Sequence, residues 1–299
     1  MSAQQADQYA AAADLVARSA AAFVSGVPEH PADDGFFGPG SVTWRINADL
    51  SGPVAGLRSL LVQALHPLAM AGVDQHSQWR RDPVGRGAAT SAYVTTVTYG
   101  DRATAEASAA QVRRIHTHVR GTDPVTGQPY DASDPELLLW VHAALVDSVL
   151  AAASLVGTAL EPADADRYVA EMVTAAELVG VPRDLVPSSV AALSEYIESV
   201  RPVLRRTPAA AEAATYLIRP VGLDDDIAEI WADVADAAVR SLPAWAIQMY
   251  GFTSSPFSSE TRQATRQALG VLDIVFIGEP GVLEARQRIE ARRRAAGAR

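Results

Sequence analysis

Leu137 to Val156 is an apolar run of membrane-span length that carries His142, Asp147 and Ser148. About 20 apolar residues are enough to cross a bilayer, but ionisable groups in mid-span are costly in lipid and common in the core of a soluble helical protein. Asp134-Pro135 supplies an N-cap followed by a first-turn proline, and Gly157 closes the run. The run therefore reads as a central core helix, and the rest of the chain must supply the apolar faces that cover it.

Those faces are helical. Alanine is abundant, apolar residues recur at three and four positions, and few stretches alternate, so an all-α protein is expected. At 299 residues, 48% hydrophobic, with no repeat, low-complexity linker or visible domain boundary, residues 1–299 read as one large helical domain. Caps and breakers place helices at Gln4–Val24, Val54–Trp79, across Ser91–Tyr99, from Asp101 to a stop at Gly121, and along the apolar run. Further helices are expected at Asp164–Leu178, Ser188–Leu204, Pro208–Ile218, Asp225–Met249, Ser259–Ile277 and Val282–Ala295, with loops at Gly26–Pro39 and Thr122–Ser133. Pro67 lies inside the second helix, removes a backbone donor and clashes with the Gln63 carbonyl, which predicts a kink or break beside His66.

Composition removes several chemistries. All 25 basic residues are arginine, so Schiff-base chemistry and the P-loop lysine are absent. There is no cysteine, which excludes thiolate-held clusters, thiolate haem ligation and disulfides. A net charge of −10 opposes nucleic-acid binding, and the arginines from Arg286 to Arg294 read as the solvated face of an amphipathic terminal helix. Met1 to Ala13 lacks the basic, apolar and small-residue series of a secretory signal, so a cytoplasmic protein without a transmembrane segment is expected.

Six histidines are the scarce chemical resource: His30, His66, His76, His116, His118 and His142. In Arg113-Arg-Ile-His116-Thr-His118-Val-Arg120 a helical spacing stacks Arg113, His116 and Arg120 on one face, and places His118 about 200° away from His116. An imidazole between two permanent cations suits an iron porphyrin with its two propionates; the same three residues also suit a solvated basic face. No Glu-x-x-His or His-Glu-x-x-His pair supports a multi-ligand metal site, whereas a porphyrin needs one protein ligand. His142 beside Asp147 reads either as a hydrogen-bonded core histidine or as a second candidate ligand. Asp225, Asp226 and Glu229 at a helix start raise the alternative of a magnesium-dependent isoprenoid diphosphate enzyme, against ordinary helix-start chemistry.

His66-Pro67, Gly72-Val73, His76-Ser77, Asp82-Pro83, Arg86, Thr90, Tyr99-Gly100-Asp101, the Arg113/His116/Arg120 segment, Tyr130-x-Ala132-x-Asp134-Pro135, Trp140-Val141-His142, Leu242-Pro243, Trp245 and Tyr250-Gly251 together resemble the MpaB and latex-clearing-protein family of haem-dependent oxygenases, over roughly residues 40 to 255. The resemblance implies a partly globin-like helical core enclosing a non-covalent haem b, with His116 as proximal iron ligand. It implies that Arg113 and Arg120 orient the helix or meet propionates, and that Arg86 and Thr90 are the distal residues. Ala89 stands at the position of a distal lysine in rubber-cleaving members, so lysine capping of iron is impossible here. The expected function is oxygenation of a hydrophobic, isoprenoid-like small molecule with dioxygen or peroxide. A non-catalytic haem carrier or sensor is the second alternative.

Overall fold

The computed structural model describes residues 27–28, 31–81, 83–220, 223, 225–253, 257–276 and 280–297. The expected helix Gln4–Val24 and His30 lie outside them. Among the described residues the secondary structure is thirteen α-helices, two three-residue strands and two short 3₁₀ turns, which makes the protein all-α. The helices are α1 (Val42–Asn47), α2 (Gly52–Gln63), α3 (Pro67–His76), α4 (Pro83–Tyr99), α5 (Arg102–His116), α6 (Pro135–Leu155) and α7 (Pro162–Val179). They continue with α8 (Val190–Val200), α9 (Pro208–Ile218), α10 (Asp225–Arg240), α11 (Ala244–Tyr250), α12 (Ser259–Phe276) and α13 (Pro280–Gly297). Strands β1 (Arg120–Thr122) and β2 (Pro129–Asp131) lie between α5 and α6.

The apolar run is α6, and it is the hub: it packs most extensively on α2 and also touches α1, α3, α7 and α8. By length and composition α6 passes as a membrane span, yet more than half of its most apolar window is buried against these neighbours. Its alanines let other helices approach closely. Ala143 and Ala153 sit with Val42, Tyr168 and Leu193, while Ala144 sits with Leu61, Val62 and Tyr250. Trp140, fully buried, donates its indole hydrogen to the Gln63 carbonyl at 3.2 Å, at the end of α2. Asp147 and Ser148 of α6 share one partner, which composition alone does not single out. Arg58 of α2, 3% exposed, pairs with Asp147 at 2.7 Å and donates to Ser148 Oγ at 2.7 Å and to the Ser241 carbonyl at 2.9 Å. A buried guanidinium needs its donors satisfied, and these three acceptors come from α6 and the turn after α10.

The break predicted at His66-Pro67 is present. α2 and α3 are bent by 105°, Pro67 occupies the first turn of α3, and His66 is its N-cap, with Nδ1 accepting from the Ala69 amide at 3.5 Å. The β-branched stretch before Tyr99 is helical, as expected; Thr96 and Thr98 donate to the Ala92 and Val94 carbonyls at 2.7 Å each, keeping their hydroxyls satisfied inside α4. A sharp joint follows. A Cβ on Gly100 would lie 2.5 Å from the Thr96 carbonyl oxygen, and Asp101 then caps α5 through the Thr104 amide at 2.9 Å. α4 and α5 consequently fold back on each other and pack side by side.

Three expectations are corrected. α5 ends at His116 rather than near Gly121, so Arg120 does not continue the helix face of Arg113 and His116. The expected loop from Thr122 instead closes an antiparallel hairpin, with Arg120 opposite Asp131, Gly121 opposite Tyr130 and Thr122 opposite Pro129. The expected helix Asp225–Met249 is two helices, because Pro243 lacks the amide to continue α10 and opens α11 instead. In the terminal helix α13, Ala285 and Ile289 are buried with Trp44 and Tyr99, and Arg288 stands over the Trp44 ring at 5.2 Å.

Candidate functional site

α5 buries one stripe, Ala105 and Ala109, which continues at helical spacing through Val112 to His116. The methyl-sized side chains let α4 and α7 approach, and His116 emerges where that stripe reaches the helix end. On α4 the residues at matching spacing are Arg86, Thr90, Tyr93 and Val97. Because the two helices run antiparallel from the Gly100 joint, the Arg86 end of α4 meets the His116 end of α5. The charge of Arg86 indeed acts on the His116 ring.

His116 is half-buried, and its Nδ1 is buried without a hydrogen-bond partner. Burial first, and the Arg86 cation second, push its pKa below the ordinary histidine value. The ring is therefore neutral at pH 7, the state in which imidazole offers a lone pair to a metal. Arg86 keeps accessible surface, yet enough protein surrounds its guanidinium for burial to lower its pKa. The Arg86 guanidinium donates to Thr90 Oγ, and the Thr90 hydroxyl donates to the Arg86 carbonyl at 3.2 Å. Ala89 is exposed.

The two flanking arginines point elsewhere. Arg113 donates to the Leu178 carbonyl, one of the last in α7, which needs an external donor and gains from a cation at that helix end. Arg120 pairs with Asp131 across the hairpin at 2.8 Å. Both contacts fix the end of α5 that carries His116: one docks it on α7, the other anchors the chain that leaves it. Of the five residues predicted for the site, Arg86, Thr90 and His116 come together, and Arg113 and Arg120 brace the helix end.

The remaining described histidines are mostly engaged. His66 caps α3, and burial pushes its pKa down to about 4. His76 Nε2 donates to the Arg120 carbonyl at 3.1 Å, and His118 Nδ1 donates to the Arg114 carbonyl at 2.8 Å on the exposed side. His142 is also lowered to about 4 by burial and has no hydrogen-bond partner among the described residues. The core hydrogen bond expected for it is not formed; Asp147, five residues on, pairs with Arg58 instead.

At the aspartate-rich helix start Asp225 and Glu229 are exposed, and the side chain of Asp226 lies outside the described residues. Among the described residues no group of three His, Cys, Asp or Glu could hold a metal ion. Among the described residues, therefore, no multi-ligand cluster accompanies the single imidazole of His116.

Fold and site together define an all-α protein with a neutral imidazole facing an arginine from an adjacent helix. The family model described as "ER-bound oxygenase mpaB/B'/Rubber oxygenase, catalytic domain" matches residues 44–273, most of the chain. The chain belongs to this family of oxygenase catalytic domains. Comparison with curated proteins and with solved structures gives no match.

Proposed function

We propose that the chain is a haem b-dependent oxygenase, with His116 as the iron ligand and a hydrophobic small molecule and dioxygen as substrates. The observation that carries this reading is the His116 ring: neutral, half-buried, with an unpartnered buried nitrogen, in a chain whose family is an oxygenase domain. These residues fit the group. Iron porphyrin needs one neutral imidazole, and the described residues offer that and no competing cluster of ligands. When bound, haem supplies the one-electron and dioxygen chemistry that amino-acid side chains lack.

The chain's own residues do the rest. Arg113 and Arg120, through Leu178 and Asp131, hold the end of α5 so that the His116 ring keeps one orientation. Arg86 is a permanent cation whose charge reaches His116 and would stabilise negative charge on a bound ligand, and Thr90 accepts from its guanidinium.

Titration of the purified protein with haem, followed by its Soret band, tests this reading. Stoichiometric uptake is expected in the wild type, and His116→Ala should lose it while its far-ultraviolet circular dichroism stays unchanged. Unaltered uptake by the variant would transfer the ligand role to another side chain, His142 foremost. Uptake without dioxygen-dependent loss of any hydrophobic substrate would mark a carrier or sensor instead.

A further inference from the structure

The Arg86–Thr90 pair closes on itself. Thr90 Oγ receives a hydrogen from the Arg86 guanidinium and gives its own to the Arg86 carbonyl, so its hydroxyl has no hydrogen left for a ligand. The next residue on the same stripe is Tyr93, three positions further along α4. Its hydroxyl is buried and has no hydrogen-bond partner. Arg113, one turn before His116 on α5, is near enough for its charge to act on the phenol. Two buried polar atoms without partners, Tyr93 Oη and His116 Nδ1, thus belong to the facing stripes of α4 and α5.

We propose that Tyr93, not Thr90, is the hydroxyl that donates a hydrogen bond to a ligand oxygen or anion held between α4 and the His116 end of α5. The inference rests on the haem-oxygenase reading of this site. Burial raises the phenol's pKa to about 12, so at neutral pH it keeps the hydrogen it would donate. A buried hydroxyl without a partner destabilises a protein, and a site can retain one because its partner arrives with the ligand.

The test uses Tyr93→Phe in the full chain, with fluoride as a small hydrogen-bond-accepting anion added to the ferric haem-loaded protein. Haem uptake should match the wild type. Fluoride affinity, read from the Soret and charge-transfer bands, should fall about five- to tenfold, the loss of one hydrogen bond. Without haem the variant should melt at the same temperature as the wild type or higher, because it removes an unsatisfied group and no contact. Equal fluoride affinities in the two haem-loaded proteins would overturn the role of Tyr93 and leave the haem reading standing. A lower melting temperature for the haem-free variant would also overturn it, by showing that the hydroxyl serves the fold. A wild type that takes up no haem would overturn both.

Discussion

At the scale of single residues, the sequence is most legible where a residue type is rare and least legible where it is common. Histidine occurs six times, so each can be weighed, and its spacing to Arg113 and Arg120 singles out His116 as a candidate, although Arg120 lies beyond the helix end. Arginine occurs 25 times and normally marks surface, which hid Arg58. Its acceptors, Asp147, Ser148 and Ser241, are distant in sequence and meet it only once α2, α6 and the turn after α10 have packed. The unusual polar residues of the apolar run were visible; the cation that answers them was not. Removing one partner of a buried charge network leaves the other uncompensated, so Arg58→Met should destabilise the fold by about 3 kcal/mol. Urea denaturation should show the midpoint falling with an unchanged slope. An unchanged midpoint would mean that Asp147, about one-third exposed, is solvated well enough alone.

At the scale of elements, the starts of helices with side-chain caps and proline first turns were readable to within a residue or two. Asp101, Asp134 and Thr207 each accept from an amide two or three residues on, at 2.9, 2.9 and 3.1 Å. The hairpin was not readable. Strands of three residues have no periodicity to detect, and their register depends on contacts with α3. Tyr130 donates to Gln75 Oε1 at 2.9 Å, and Gln75 donates back to the Thr122 carbonyl at 3.0 Å. Gly121, which in sequence resembled a helix stop, is required by this contact. A Cβ there would fall 2.6 Å from Tyr130 Oη and 2.8 Å from Gln75 Oε1. Gly121→Ala should accordingly push the hairpin off α3 and cost about 1–3 kcal/mol. Hydrogen exchange should localise the change, with faster exchange of the amides of β1 and β2 and little effect in α6. Uniform loosening across the chain would contradict a local clash.

At the scale of the whole molecule, the core contains imidazoles that stay neutral because charging them would mean hydrating or opening it. His66 and His142 are both lowered from the ordinary value to about 4, in each case chiefly by burial. The unfolded chain takes up these protons near pH 6.5, the folded protein only near pH 4. Across that window the unfolded state binds more protons, so stability rises with pH and is lost as pH falls, by up to roughly 3 kcal/mol per histidine. Above the window these groups contribute nothing further. Below it their effect is complete, and later losses belong to carboxylates such as Asp101 and Asp131, whose hydrogen bonds hold their pKa values beneath the ordinary range. Asp233 acts in the opposite sense, because burial raises its pKa and protonation then favours the fold. Thermal melts of haem-free protein should thus show a decline in melting temperature beginning near pH 6.5, above the range where ordinary carboxylates titrate. Replacing both rings, His66→Asn to keep a cap acceptor for Ala69 and His142→Leu to keep an apolar volume, should flatten that decline and leave the acid limb below pH 4 in place. A double variant whose profile overlays the wild type would show that the acid sensitivity of this helical core originates outside these two histidines.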